Sequence, residues 1–374
     1  MTQRPLKLGM VGGGEGAFIG AVHRMAARLD GAWELTAGCL SSTPEKAARS
    51  AEVLGLSRSY ASYEDMAKAE AGRDDGIDAV SIVTPNHMHI PVARAFLEAG
   101  IHVICDKPLT TDLETALAFA EDCKHYTARF FLTHNYTGSP MVRQARDMVA
   151  KGHLGQIRLV HVEYLQDWLA APADPDNVQA AWRTDPGRTG GGGAIADIGT
   201  HAFNLASFVT GQVPLALSAD LGAFVEGREV NDNGAVLMRY ASGARGTLLA
   251  SQVATGTENR LNLRIHGDAG GLFWSQETPN ELIFTQLNGV EQRITRSGAG
   301  AGAAANAVSR IPAGHPEGYL EAFATLYREA TEDILSEISD RADTSQGLKQ
   351  AVEGMRFIDA CLKSSSENAA WRDL

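Results

Sequence analysis

Short apolar runs alternate with helical patterns throughout residues 1–134, and few folds accept this order of elements. The apolar runs are LKLGMVG (6–12), WELTAGC (33–39), DAVSIV (78–83), IHVIC (101–105) and RFFLT (129–133). The helical patterns lie near 17–30, 43–55, 89–98 and 111–125. Wholly apolar strands that alternate with helices are typical of a parallel sheet with helices on both faces. The pattern therefore predicts an α/β fold that begins with a doubly wound parallel sheet.

The pattern changes after residue 134, where strands follow one another in series. An apolar run at 155–168 is followed by six more within 213–287, separated by turns that contain Gly or Asn. Strands in series predict a large, mainly antiparallel sheet with one covered face. We therefore expect two domains, 1–134 and 135–374.

The other segments of the second half are predicted from glycine, proline and helical spacing. They are a helix near 139–151, a loop rich in Ala, Pro, Asp and Asn at 170–180, a Gly-rich turn at 187–194 that opens a helix to about Gly211, a mobile loop at 297–310, and helices near 316–337 and 345–364.

Charge and cysteine content exclude several classes of protein. Lys and Arg total 33 against 45 acidic residues, a net charge of −12, which argues against a nucleic-acid partner. No stretch approaches the ~18 apolar residues that span a membrane, and the first residues lack the pattern of a secretory signal. The four cysteines form no CxxC motif. We expect reduced thiols in a cytoplasmic protein with no membrane partner.

A Gly-rich turn, Gly12-Gly13-Gly14-Glu15-Gly16-Ala17-Phe18-Ile19-Gly20, follows the first predicted strand. Such a turn lets backbone amides approach a pyrophosphate, and the N-terminus of the next helix adds a favourable field. The alternative is a tight turn that only needs positive φ angles. Because the turn stands at the first strand of a βαβ unit, dinucleotide binding is favoured.

The end of the second predicted strand leaves the choice of dinucleotide open. Many dinucleotide folds carry an acid there for the ribose hydroxyl. This chain has Leu40, Ser41 and Ser42 instead. No arginine stands there for a 2′-phosphate, although Lys46 and Arg49 on the following helix could reach one.

Thr84-Pro85-Asn86-His87-Met88-His89 follows the run that ends at Val83. A loop at the carboxyl end of a strand is where ligands bind in parallel sheets. The two histidines are spaced like metal ligands, but no matching Cys or carboxylate set accompanies them, so we expect no metal. Otherwise His89 would be an ordinary residue at a helix start.

Cys105-Asp106-Lys107-Pro108 follows the next apolar run. A lysine at a strand end, before a proline, is well placed to meet a substrate hydroxyl. A dry pocket or neighbouring cations would lower its pKa and favour proton transfer. The alternative is a surface lysine before a helix.

Asp197 and His201 are spaced i, i+4 at the start of a predicted helix, which puts carboxylate and imidazole on one face. Gly199 between them leaves room for a ligand. A neutral histidine can accept the proton of an alcohol, and an aspartate can orient it. A structural cap and a buried, satisfied histidine would give the same spacing.

Taken together, these motifs resemble the Gfo/Idh/MocA oxidoreductase family, and the resemblance covers the chain in order. It rests on the Gly-rich turn, Thr84 to His89, Asp106-Lys107-Pro108, Trp182-Arg183, and the glycine-rich segment that ends in Asp197-Ile198-Gly199-Thr200-His201. The resemblance implies a Rossmann domain at 1–134. It also implies an α/β domain at 135–374 that binds substrate and forms dimers or tetramers through its sheet.

The resemblance also implies roles for individual residues. Lys107, Asp197 and His201 would be catalytic, with His201 as the base, Lys107 polarising the same oxygen and Asp197 positioning substrate and histidine. Cofactor contacts would come from Gly12, Gly14, Phe18, Ile19, Ser41, Ser42, Lys46, Pro85, Asn86, His89, Asp106, Lys107, Trp182 and Arg183. Substrate contacts would come from Tyr136, Gln166, Trp168, Arg183 and His315.

Three departures from the family pattern stand out. The glutamate before the lysine is Asp106, one methylene shorter. About three extra residues precede Gly20 in the Gly-rich turn, and the acid after the second strand is missing. Segments such as GGGEGAFIGAVHRMAA are most similar to a branch with levoglucosan-dehydrogenase-like and inositol-dehydrogenase-like enzymes, which favours NAD while NADP stays possible.

The function expected from these residues is NAD(P)-dependent hydride transfer to or from a ring secondary alcohol of a sugar, anhydrosugar or cyclitol. One alternative is a redox-assisted glycosidase, in which NAD transiently oxidises the ring so that the leaving group is eliminated. The other is a non-catalytic dinucleotide sensor, against which the complete set of Lys107, Asp197 and His201 argues.

Overall fold

Six parallel strands form the sheet of the first half of the chain, in the order β3-β2-β1-β4-β5-β6. They are β1 Leu6–Gly12, β2 Trp33–Cys39, β3 Arg58–Ser59, β4 Ala79–Val83, β5 His102–Asp106 and β6 Phe130–Thr133. This is a computed structural model, and it describes residues 4–172, 177–336 and 345–374. The strand order reverses between β1 and β4, as in dinucleotide-binding folds. The predicted doubly wound sheet is confirmed.

Five helices connect these strands: α1 Phe18–Leu29, α2 Pro44–Val53, α3 Tyr63–Ala71, α4 His89–Glu98 and α5 Leu113–Asp122. A short 3₁₀ turn, Asn86–Met88, precedes α4. Strand residues such as Leu8, Met10 and Ile82 are fully buried, which is why these strands are apolar throughout.

Nine strands form the second sheet, in the order β14-β13-β12-β11-β7-β10-β9-β8-β15. They are β7 Ile157–Leu165, β8 Ala216–Gly222, β9 Asn233–Arg239, β10 Arg245–Ser251, β11 Arg260–Gly267, β12 Gly270–Ser275, β13 Glu281–Gln286, β14 Glu291–Thr295 and β15 Arg372–Asp373. Among the described strands of this second sheet, only the pairing of β7 with β10 is parallel. The prediction of a large, mainly antiparallel sheet is therefore confirmed.

Helices α6 and α9 pack on one face of this second sheet. The helices of this half are α6 Pro140–Ala150, α7 Val178–Arg183, α8 Pro186–Thr189, α9 Thr200–Thr210, α10 Ala303–Asn306, α11 Tyr319–Leu335 and α12 Ser345–Ser366. A π-helical turn, Ile195–Gly199, leads directly into α9. The opposite face carries exposed residues such as His161, Leu237 and Arg264, which alternate with buried residues along their strands.

Two expectations about loops need correction. The 297–310 segment is not all loop, because it contains α10, and the N–H of Gly302 donates to Gln144 Oε1 at 2.7 Å. The predicted loop at 170–180 contains the first residues of α7, while its residues 173–176 lie outside the described part of the chain. Residue 337, the end of one predicted helix, also lies outside it.

The chain divides into two compact units. The first comprises Met1–Thr133 and Phe323–Val352, and the second His134–Ala322 and Glu353–Leu374. The first change of unit lies one residue from the domain boundary proposed after residue 134. The return of Phe323–Val352 to the first unit has no counterpart in that proposal.

Candidate active site

In the first unit, three predicted motifs lie at the carboxyl ends of adjacent strands. The Gly-rich turn follows β1, Thr84 to His89 follow β4, and Asp106 to Pro108 span the end of β5. The contact between the first two is close: a Cβ at Gly12 would lie 2.9 Å from the carbonyl oxygen of Val83. The structure thus brings the residues that were predicted to bind the cofactor to one edge of the sheet, at the point where the strand order reverses.

The Gly-rich turn fits a pyrophosphate. Gly12 and Gly13 have φ angles of 80° and 73°, and a Cβ at Gly20 would lie only 2.4 Å from the Cα of Gly13, so α1 must begin tightly against the turn. The N-cap of α1, Ala17, provides no side-chain hydrogen bond, and its first turn holds no acidic residue. The amides and the positive end of the helix dipole are thus left for an anion.

The predicted cofactor residues around this turn differ in exposure. Phe18 is 65% exposed at the start of α1, whereas Ile19 is half-buried. Ser41 is half-buried and its hydroxyl accepts a hydrogen bond from the N–H of Thr43 at 3.1 Å, while Ser42 is exposed. The turn is joined to the end of β2, because the N–H of Gly14 donates to the Leu40 carbonyl at 3.1 Å.

His89 braces two of the motif loops. Its Nδ1 lies 2.7 Å from the carbonyl oxygen of Pro108, and its Nε2 lies 2.9 Å from that of Thr84. Burial lowers the pKa of His89, while the Asp106 carboxylate and the two carbonyls oppose that effect. Since both nitrogens face carbonyl oxygens, the ring joins the β4 and β5 loops and is not presented to a metal.

Asp106 binds the backbone at the start of the loop that contains Lys107. Its Oδ1 accepts hydrogen bonds from the N–H of Lys107 at 2.9 Å and from the hydroxyl of Thr133 at 3.2 Å. The carboxylate therefore acts on the backbone of Lys107 and on the neighbouring strand β6.

A buried network that sequence reasoning missed lies next to Asp106. Nδ1 of His23 lies 2.9 Å from the hydroxyl of Tyr327 and 3.3 Å from that of Ser81, and Tyr327 donates to Ser81 at 3.0 Å. Burial is the main reason that the pKa of His23 falls to about 4. His23 is therefore neutral at physiological pH. The one feature of the sequence that could have pointed to His23 is a polar residue on the buried face of α1.

In the second unit, Asp197 is held by two donors. Arg183 Nε donates to Asp197 Oδ2 at 3.1 Å, and Gln252 Nε2 donates to the same oxygen at 2.9 Å. Asp197 stands in the π-helical turn, and such turns are frequent at functional sites. The structure thus joins two predicted residues, Asp197 and Arg183, and adds Gln252, which was not predicted.

His201 is buried among aromatic rings in the first turn of α9. Its ring centroid lies 5.1 Å from that of Tyr136, 5.9 Å from that of His134 and 6.1 Å from that of Tyr164. These edge contacts fix the orientation of the imidazole.

A chain of hydrogen bonds leads from Tyr136 to the protein surface. The hydroxyls of Tyr136 and Tyr164 lie 2.6 Å apart, and Tyr164 donates to Asn259 Oδ1 at 2.9 Å. Gln166 donates to the same oxygen at 2.7 Å and accepts a bond from the Trp168 indole at 2.9 Å. Three predicted substrate residues, Tyr136, Gln166 and Trp168, thus belong to one network.

Arg183 connects this network to Asp197. Its guanidinium lies 4.3 Å from the ring centroid of Trp182 and 5.7 Å from that of Trp168. Asn259, the residue on which Tyr164 and Gln166 converge, was not predicted, because it lies about 90 residues beyond them in a polar turn.

His315 stands apart from these residues. Its side chain is exposed, and its carbonyl accepts a hydrogen bond from Arg296. The structure does not bring its imidazole into the network.

Lys107 belongs to the first unit, and Asp197 and His201 belong to the second.

The described residues contain neither a candidate membrane span nor a candidate metal site. No helix there is both long and apolar enough to cross a membrane. No group of three or more His, Cys, Asp or Glu side chains there could hold a metal ion.

Comparison with family models covers both halves of the chain. Residues 6–134 match the model described as an oxidoreductase family with an NAD-binding Rossmann fold. Residues 142–273 match the GFO/IDH/MocA C-terminal domain.

Solved structures match over almost the whole chain. An oxidoreductase from Sinorhizobium meliloti is 49% identical with a TM-score of 0.90, and 99% of this chain and 100% of that chain are covered. An inositol dehydrogenase homolog from Azotobacter vinelandii, complexed with NAD+, is 34% identical with a TM-score of 0.94, covering 99% and 98%. The same homolog is also solved with NADH and myo-inositol.

A curated relative points to a similar class of enzyme. The levoglucosan dehydrogenase of Pseudarthrobacter phenanthrenivorans is 29% identical to this chain. The match covers 74% of this chain and 75% of the relative.

Proposed function

The chain belongs to the Gfo/Idh/MocA family of NAD-binding oxidoreductases, and from this premise we propose that it oxidises or reduces a ring secondary alcohol of a sugar, anhydrosugar or cyclitol. When bound, a nicotinamide dinucleotide would supply the hydride chemistry. The protein binds and orients the reactants and moves the hydroxyl proton.

One observation carries the proposal. The Gly-rich turn, the β4 loop and the Lys107 loop follow neighbouring strands at the reversal of strand order, which is the dinucleotide site of this fold. The open N-terminus of α1 suits the pyrophosphate, and Pro85, Asn86 and Asp106 belong to the loops proposed to line the nicotinamide.

The proposed catalytic group is Lys107, Asp197 and His201. A neutral imidazole accepts the hydroxyl proton near neutral pH, and the edge contacts of Tyr136 and Tyr164 hold that imidazole in one orientation. The Lys107 ammonium polarises the same oxygen. Asp197, fixed by Arg183 and Gln252, positions the substrate and the histidine.

The substrate class is proposed from the network in the second unit. Aromatic faces with hydrogen-bonding tips suit a pyranose or cyclitol ring, and Tyr136, Gln166, Trp168 and Arg183 supply both. We also propose that His315, on the 310–318 loop, contacts the substrate. The names of relatives that act on levoglucosan and bind myo-inositol support this class.

The purified protein can test the proposal directly. It is incubated with NAD+ or with NADP+ and a panel of inositols, pyranoses, methyl glycosides and anhydrosugars, while the absorbance of reduced nicotinamide is followed. We expect reduction with at least one panel member. Cleavage of a methyl glycoside without net NADH would instead establish the redox-assisted glycosidase, and binding of neither dinucleotide would refute the proposal.

We further propose that the protein is a cytoplasmic homodimer or homotetramer assembled through the second sheet. The face of that sheet opposite α6 and α9 exposes Leu159 and Leu237 by 43% and 53%, and holds a depression of about 820 Å³. Light scattering on a size-exclusion column tests the assembly, and a monomer at micromolar concentration would refute it.

A further inference from the structure

The Gly-rich turn of the first unit carries a carboxylate beside the end of β2. This carboxylate belongs to Glu15, one of the residues that lengthen the turn. Two hydrogen bonds from backbone N–H groups fix the segment: the N–H of Gly14 donates to the Leu40 carbonyl at 3.1 Å, and the N–H of Glu15 donates to the side-chain Oγ of Ser50 at 3.1 Å. Glu15 therefore bridges the turn after β1 and the helix after β2.

This position is where a dinucleotide fold binds the adenosine ribose. The hydroxyls of that ribose are normally bound by an acid at the end of β2. Here the end of β2 offers Leu40, Ser41 and Ser42, so no carboxylate comes from that strand. Glu15 supplies one from the neighbouring turn.

Glu15 also pairs with an arginine of α2. Arg49 on α2 donates from Nε and Nη2 to Glu15 Oε2, at 3.2 and 3.0 Å. Both bonds end on one oxygen, so Oε1 retains its capacity to accept from a ribose hydroxyl. A 2′-phosphate would meet this carboxylate and would compete with it for the guanidinium.

We propose that Glu15 makes this enzyme select NAD over NADP, by placing a carboxylate at the adenosine ribose and by engaging Arg49, the cation that would otherwise hold a 2′-phosphate. The inference rests on the proposed function, since it presupposes a dinucleotide in the first unit. The Gly-rich turn would thus provide the preference for NAD over NADP that the end of β2, which has no carboxylate in this chain, does not provide.

The pair is suited to a test by substitution. The side chains of Glu15 and Arg49 are 62% and 61% exposed, and exposed ion pairs contribute little to folding stability. The variant Glu15→Gln keeps the length of the side chain and one acceptor oxygen, and it removes the negative charge. Glu34→Gln is a matched control, because Glu34 is an exposed carboxylate near the opposite end of β2.

The measurement is the dissociation constant of NADH and of NADPH, from the fluorescence of the bound nicotinamide, which requires no substrate. We expect the wild type to bind NADH more tightly. Glu15→Gln should tighten NADPH binding about tenfold and change NADH binding by less than about threefold. Addition of Arg49→Ala to Glu15→Gln should abolish the gain, and Glu34→Gln should leave both constants unchanged.

Equal affinities in the wild type, or an unchanged ratio in Glu15→Gln, would overturn the inference while leaving the proposed function intact. Binding of neither dinucleotide by the wild type would overturn the proposed function itself.

Discussion

Nε2 of His23 lies 4.0 Å from Oδ1 of Asp106, and this buried nitrogen has no hydrogen-bond partner among the described residues. The other ring nitrogen faces the hydroxyls of Tyr327 and Ser81, and since Tyr327 donates to Ser81, the Ser81 hydroxyl is left to donate to this nitrogen. The arrangement favours a neutral ring with its proton on Nε2, directed at the carboxylate that holds the backbone of Lys107.

The burial of His23 predicts a dependence of stability on pH. Burial lowers its pKa from 6.5 to about 4. At a pH between these two values, His23 is therefore protonated in the unfolded chain and neutral in the folded protein. The free energy of unfolding should therefore be unaffected by His23 above pH 6.5 and fall as the pH drops from 6.5 towards 4. At full extent this amounts to ~3 kcal/mol.

Urea unfolding at a series of pH values checks this expectation. His23→Gln should reduce the slope, whereas His125→Gln, at an exposed histidine, should not. Burial also lowers the pKa values of His89 and His102, so part of the slope should remain. An identical slope in His23→Gln would contradict the prediction.

Loss of the proposed proton acceptor or of the proposed polarising ammonium should abolish turnover selectively. We expect His201→Ala and Lys107→Ala to lower kcat by ~10²–10⁴-fold, the usual contribution of a positioned acid or base. NADH binding should persist in both variants. His125→Ala, at an exposed histidine beyond the end of α5, is the control. Near-normal turnover of both variants would rule out these roles.

The bond between Arg183 and Asp197 should contribute to catalysis beyond its effect on folding. A hydrogen bond between charged groups contributes about 1.5–3 kcal/mol, so Arg183→Ala should lower kcat/KM by about 10- to 150-fold. Gln252→Leu, which removes the neutral donor to the same oxygen, should cost less. Because both donors serve Asp197 Oδ2, their effects should not add.

Arg188→Ala is the matched control for this prediction. Arg188 lies five residues beyond Arg183, is 53% exposed and pairs with Asp185 instead. An equal loss in Arg188→Ala would show that the Arg183 effect comes from local unfolding and not from Asp197.

A buried ion pair should hold the loop that carries His315. Arg296 and Glu317 are each 1% exposed and lie 3.0 Å apart, and Glu317 Oε1 also accepts from the N–H groups of Arg310 and Ile311. Glu317→Ala leaves a buried guanidinium without its anion and should reduce the free energy of unfolding by about 3–5 kcal/mol.

The exposed pair of Arg293 and Glu281 provides the comparison for that variant. Glu281→Ala should change stability by less than about 1 kcal/mol. Urea unfolding followed by tryptophan fluorescence measures both variants, and similar losses in the two would contradict the assignment of a special role to the buried pair.

Local patterns in the sequence predict much of the secondary structure. Strands β1 and β2 begin and end as predicted, because each is a compact apolar run bounded by turn residues. The helix α10 was missed because it has only four residues and follows a glycine-rich segment, and because Gln144, which bonds the backbone at its start, lies 158 residues away.

The site was predictable only where neighbouring residues form a motif. Asp197 and His201 were found by their spacing, but the π-helical turn that contains Asp197 depends on backbone bonds that composition does not encode. Gln252 and Asn259 were missed because their partners come from distant strands and helices. The partnership of His23 with Tyr327 joins residues 304 positions apart, which no local pattern reveals.

That last partnership has a consequence for protein engineering. The first unit is not contiguous in the gene, because Phe323–Val352 supplies Tyr327, whose carbonyl accepts a bond from the Trp33 indole and whose hydroxyl contacts His23. A chimera that exchanges only residues 1–134 with a relative would combine one protein's His23 and Trp33 with another's Tyr327. Recombination between family members therefore has to transfer two separate segments of coding sequence to keep this cofactor-binding unit whole.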